Sequence, residues 1–143
     1  MKLAICDSAS CSTPSNIAVD TIPLNYDMGL QTSLALNSSD HPVVSYFDDT
    51  SDDLKLDICN NAACDTATIR TVASSGDVGR FNAVALDNSG HAQISYFDAS
   101  NQALMLAVCN DAACSNPAHY TVDNIPLNDS SGTFTSLALN SSG

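Results

Sequence analysis

Six cysteines are the residues whose type and spacing most directly promise chemistry. Cys6 and Cys11, Cys59 and Cys64, and Cys109 and Cys114 each form a Cys-x4-Cys pair. The four residues between them are rich in Asn, Asp, Ser and Ala, which predicts a hairpin whose two strands set the sulfurs opposite one another. Cross-strand neighbours lie about 4.5 to 5.5 Å apart, within the Cα range of a disulfide. Zinc is the rival chemistry. Zinc sites usually take four ligands at spacings such as Cys-x2-Cys, and His41, His91 and His119 do not accompany the pairs. The spacing therefore favours three local disulfides, each contributing about 2 kcal/mol on the chain-entropy account. Such bonds persist in oxidising surroundings, so the expected location is secreted: extracellular or periplasmic.

Carboxylates are the second chemical resource. Sixteen Asp and no Glu face only Lys2, Lys55, Arg70 and Arg80, a formal net charge of −12. That balance repels a phosphate backbone and an anionic membrane surface, which excludes nucleic acid as a partner. No apolar run approaches the roughly 20 residues of a membrane span, so no membrane insertion is expected. Carboxylates do suit Ca²⁺, which takes several oxygen ligands, and Asp27, Asp77, Asp48 and Asp98 are the candidate ligands; no other cofactor is implied. The run Asp48-Asp49-Thr50-Ser51-Asp52-Asp53 lacks the glycine and closing Glu of an EF-hand loop. A solvated acidic rim is the simpler reading. No motif supplies a nucleophile to His119, and His41 and His91 occupy matching turns, as local structure would. No catalytic residue is assigned.

What positions these groups is a repeat. The cysteine pairs begin 53 and then 50 residues apart, and the patches Ser33-Leu36, Ala83-Leu86 and Ser136-Leu139 recur 50 and 53 residues apart. A period near fifty marks stacked units. In the middle copy Phe81-Leu86 and Ala92-Phe97 alternate around the turn Asp87-Asn88-Ser89-Gly90, Leu104-Cys109 follows, and Ala118-Val122 comes after the cysteine turn. These are four short antiparallel strands, A to D, in an all-β chain with no helical period. Four-stranded sheets repeated at this length are the unit of a β-propeller.

The segments Ala83-Val84-Ala85-Leu86-Asp87-Asn88-Ser89-Gly90-His91 and Ile94-Ser95-Tyr96-Phe97-Asp98 resemble the inner two strands of β-propeller blades of the NHL-like kind and of bacterial extracellular repeat proteins. The Asp box of sialidase-like blades is missing, and the chain has no Trp, so the resemblance implies no sialidase chemistry. The expected organisation is one repeat domain over 1–143: strands C and D of a first blade with its loop over 1–32, a second blade over 33–80, a third over 81–132, and strand A of a following blade over 133–143. That is a partial propeller or part of a ring, because rings generally need four or more blades.

In such blades the B-to-C and D-to-A loops share one end of the sheets. Asp48, Asp49, Asp52, Asp53, Asp98, Asp20, Asp27, Asp77, Asp123 and Asp129 fall there, which predicts an acidic face. Gly29, Gly79 and Gly132 each stand seven residues before the last leucine of strand A, where φ > 0 or a close backbone approach is expected. Positions that differ between copies are free for function, and Tyr26, Met28, Arg80 and Phe81 in the D-to-A loops are the candidate ligand-binding residues, for a sugar or a peptide. The expected function is a non-enzymatic binding or assembly module for carbohydrate, protein or its own copies through open strand edges. Polymerisation into an extracellular fibre and a fragment of a propeller hydrolase or lyase are the alternatives.

Overall fold

Alternating β-rich segments separated by Asn, Asp, Ser and Gly fold here as antiparallel strands in chain order. The structure, a computed structural model, describes residues 2–6, 10–12, 14–18, 31–124 and 134–140. β1 (Lys2–Ile5) and β2 (Ser15–Ala18) pair as a two-stranded sheet. β3 (Ser33–Leu36), β4 (Pro42–Asp48), β5 (Asp53–Cys59) and β6 (Ala67–Ala73) form a four-stranded sheet in chain order. β7 (Val78–Leu86), β8 (Ala92–Asp98), β9 (Ala103–Val108) and β10 (Ala118–Asn124) form a second.

The first turn of each meander is built by one side chain. Asn37 Oδ1 accepts the N–H groups of Ser39 (2.9 Å) and His41 (3.0 Å), and Asp87 Oδ1 accepts those of Ser89 (2.8 Å) and His91 (2.9 Å). The chain then turns left-handed at Asp40 (φ 60°) and at Gly90 (φ 79°), residue types that tolerate this conformation. The His91 N–H bond, foremost among these contacts, holds the Asp87 carboxyl below the usual carboxylate range. Both histidines thus mark local structure.

Register decides which side chains meet. Across each pair, directly opposed residues share a face, so Val43, Leu54 and Leu56 lie on one face of the first sheet, and Val84, Ile94 and Ala107 on one face of the second. These two faces close on each other as one core, joined by Tyr96, Val78 and Ala92. Leu54, Leu56 and Ile94 are wholly buried. The far face of the second sheet carries Phe97, Leu104 and Leu106, which match Phe47, Leu54 and Leu56 but are only half-buried.

Three expectations are corrected. Strand A of the middle copy begins at Val78 rather than Phe81, and its pairing to β8 slips between Val78 and Arg80 and again between Arg80 and Ala83. Gly79 (φ 107°) and Phe81 (φ 52°) cause the slips, since left-handed residues push extra backbone out of the ladder. Residues 135–140, the expected place of strand A of a following blade, form no strand.

The third correction concerns the cysteines. All three local disulfides form, Cys6–Cys11, Cys59–Cys64 and Cys109–Cys114, with Cα separations of 4.7 to 4.8 Å. They do not link opposed strand positions. Cys59 ends β5 and pairs with Ala67, whereas Cys64 lies in the turn with φ 50°. Its N–H donates to Asn61 O at 3.0 Å, as Cys114 N–H does to Asp111 O. The bridge therefore clasps a tight turn, and left-handed Cys11, Cys64 and Cys114 make it reach. Cys59, Cys64, Cys109 and Cys114 are buried while Cys6 is exposed. Under a limiting reductant Cys6–Cys11 opens first, read by mass spectrometry of alkylated peptides; simultaneous loss of all three bridges contradicts this.

Candidate functional site

Three loops interlock at one end of the two sheets. Val78 N–H donates to Asp52 O (3.0 Å), Ala99 N–H to Asp77 O (2.9 Å), and Asp77 N–H to Ser100 Oγ (2.8 Å). The β4–β5 turn, the β6–β7 connection and the β8–β9 turn thus lie together, as the sequence implied. Asp48, Asp53, Asp77 and Asp98 at this end are engaged locally. Asp48 Oδ1 accepts Thr50 N–H at 3.0 Å, and Lys55 Nζ lies 3.8 Å from Asp48 and 3.4 Å from Asp53. Asp98 accepts both N–H and side-chain donors of Asn101, at 2.8 and 2.9 Å. Asp77 accepts Arg80 Nε at 2.7 Å.

Among the described residues, no group of three or more His, Cys or Asp is placed to hold a metal ion. Asp48, Asp77 and Asp98 each hold turn or ion-pair contacts, and Asp27 lies outside the described residues. Each of these three carboxylates meets a donor within three residues of itself.

Arg80 is likewise committed. Its guanidinium covers the Phe47 ring at 4.5 Å from the centroid. The hydrogen bond to Asp77 raises its pKa, burial opposes this, and the charges of Asp77, Asp49 and Asp52 add to the rise. It ties the second unit to the first. Tyr26 and Met28 lie outside the described residues.

The sequence reading missed a seam of short polar side chains between successive copies. Ser45 Oγ donates to Asn82 Oδ1 at 2.6 Å, and Asn82 Nδ2 donates to Gln31 O at 2.6 Å and Gly79 O at 2.9 Å. The pattern then repeats one copy later. Ser95 Oγ bonds Thr135 Oγ1 at 2.9 Å, and Thr135 Oγ1 bonds Phe81 O. Ser45 and Ser95 are equivalent, as are Asn82 and Thr135, and Gln31 and Phe81. A further bond ties the first pair, from Phe81 N–H to Gln31 Oε1.

Gln31, Phe81 and Phe134 thus form a row of equivalent positions, and all three are left-handed, at φ 63°, 52° and 88°. Phe81 is half-buried between Phe97, at 6.4 Å between ring centroids, and Phe134, at 5.0 Å. The Phe134 ring is 86% exposed. Gln31, Phe81, Asn82, Phe134 and Thr135 line an open cleft of about 390 Å³. No protein-family model, curated protein or solved structure matches this chain. Among the described residues singled out from sequence, Phe81 alone lines this cleft.

A second cleft of about 340 Å³ lies between the sheets, lined by Val72, Val78, Met105 and, among its polar groups, Tyr96, Asp98 and His119. The Tyr96 hydroxyl shares a hydrogen bond of 3.2 Å with His119 Nδ1. Burial, then the charge of Asp98, pushes the Tyr96 phenol up to about 12, against an ordinary value of about 10. A raised phenol pKa means that the fold favours the protonated form. Its contribution is complete below about pH 10 and disappears as pH climbs through the folded value. Titration by tyrosinate absorbance should show a late-ionising group that is lost in Tyr96→Phe. Persistence of that group in the variant assigns it elsewhere.

Proposed function

We propose that the chain is a stretch of a β-propeller-like array of disulfide-clasped blades, a non-enzymatic extracellular module that presents its interlocked loop end to a ligand. The recurring seam carries this reading. Ser45, Asn82 and the Gln31 carbonyl join the first sheet to the second, and Ser95, Thr135 and the Phe81 carbonyl begin the next junction in the same way. Equal junctions between successive units mean equal rotations, and sheets turned repeatedly about one axis curve toward a ring. Three disulfides support an oxidising location. The resemblance to NHL-like and bacterial extracellular blades is consistent with the meander topology.

Chains extended by tandem copies of residues 81–132 test the array. Each added copy should raise the thermal midpoint, since neighbouring units stabilise one another. Small-angle scattering should follow a flat arc that closes. Scattering from a straight rod would defeat the propeller reading.

One observation favours a second reading, in which chains polymerise into a fibre. Phe97, Leu104 and Leu106 remain half-buried where Phe47, Leu54 and Leu56 are buried under a following sheet. Contacts between unlike faces grow open polymers when rotation does not close them. Light scattering at rising protein concentration separates the two, because only the fibre grows without limit.

A further inference from the structure

We propose that the cleft between the two sheets binds a primary alkylammonium group, carried by a free amine or a lysine side chain, against Asp98. The site goes beyond the loop-end reading, because its walls are the two four-stranded sheets themselves.

The preceding unit holds such a group of its own. In the first sheet Lys55 stands opposite Tyr46 of β4 and Thr71 of β6. Its Nζ donates to Thr71 Oγ1 at 2.9 Å and lies 3.8 Å from Asp48 and 3.4 Å from Asp53. The second sheet repeats this register with Met105 opposite Tyr96 and Thr121, and with Asp98 opposite Ala103 as Asp48 is opposite Asp53. Lys55 and Met105 are one position, each four residues ahead of the first cysteine of its unit. Tyrosine, threonine and a carboxylate therefore recur, whereas the ammonium does not. Ala103 in place of Asp53 leaves one carboxylate where the first unit has two.

Charge and shape then select the ligand. Asp98 is 6% exposed, and its oxygens accept the N–H and Nδ2 of Asn101. Asn101 is neutral, and each carboxylate oxygen keeps a second acceptor site. Among the described residues, no lysine or arginine forms an ion pair with Asp98. A buried charge gains most from a cation that can also donate hydrogen bonds. Around it the cleft of about 340 Å³ falls within the roughly 300 to 1,000 Å³ of small-molecule sites. Its floor holds buried Val72, Val78 and Tyr96, and its rim holds exposed Ser74, Ser75 and Asn101. A slot that is apolar below and open above suits an alkyl stem with a charged head, as lysine stems lie on apolar surface. An anion would be repelled by Asp98.

Amide chemical-shift mapping on the 143-residue chain tests the site, with n-butylammonium and Nα-acetyl-lysine N-methylamide as probes. At least one of them should give saturable shifts at Tyr96, Asp98 and Met105; the free amine alone assigns a small-molecule source, and the lysyl probe a peptide. Asp98→Asn should weaken binding by about tenfold or more. Met105→Lys should abolish it, since the new side chain fills the place as Lys55 does. Met105 is half-buried and lysine already stands at that place in the first unit, so this variant keeps its fold. The proposal is overturned if neither amine saturates, if n-butanol or tetramethylammonium gives equal shifts, or if Met105→Lys binds as well as the unaltered chain. None of these outcomes depends on how tandem copies curve, so the array reading and the ammonium site fail separately.

Discussion

Replacing Gly79 by alanine should destabilise the protein by about 3 kcal/mol or more, a fall in melting temperature of roughly 10 °C. Two costs coincide at this position. Its φ of 107° is one that side chains rarely adopt, and an added Cβ would lie 2.7 Å from both Cα and Cβ of Leu54. Leu54 is wholly buried in the core between the sheets, so neither strand can withdraw cheaply. Gly90 provides the control. It too is left-handed, at 79°, but an added Cβ meets nothing within 4 Å, and Gly90→Ala should cost about 1 kcal/mol. Aspartate fills that place in the preceding copy as Asp40, with φ 60°, so Gly90→Asp should cost less still. Chemical denaturation of the three variants checks the order. Equal losses at Gly79 and Gly90 would show that backbone conformation alone is at stake.

The second large effect belongs to the seam. Asn82 is 7% exposed, and its side chain serves three partners: Ser45, Gln31 O and Gly79 O. Asn82→Ala leaves the wholly buried Ser45 hydroxyl and two carbonyls without that partner, at about 1 to 3 kcal/mol for each buried group so exposed. A net loss of about 3 kcal/mol is expected, because some groups find new partners. Asn82→Thr should recover part of it. Threonine occupies the equivalent place as Thr135, where one hydroxyl meets both Ser95 and the Phe81 carbonyl. If threonine proves no better than alanine, the two junctions are not equivalent.

The sequence made the large features readable because they rest on pattern. Alternation in Ala92–Asp98 identified a strand, Asn and Asp marked the turns, and a five-residue interval identified each disulfide. Gly79 was legible for the same reason: a glycine recurring before every inner strand reports a backbone need. The seam was hidden by substitution within a shared role. Asn82 and Thr135 differ in type, and so do Gln31 and Phe81, yet each pair makes one set of bonds. Nor does the sequence announce a left-handed glutamine or phenylalanine, since those types argue against that conformation. Arg80 was noticed for its difference from the other copies, but proximity to Asp77 and Phe47 commits it to bracing.

Neighbouring units are joined by a hydroxyl, a short polar side chain and one carbonyl, all supplied by the few residues at each junction. Unequal recombination between gene segments could therefore add or delete whole units and leave every joint intact. Natural selection would see two kinds of site in such a lineage. The joints would tolerate small hydrogen-bonding residues, as Asn82 and Thr135 do, while the places of Gln31, Phe81 and Phe134 already hold different side chains on one backbone conformation.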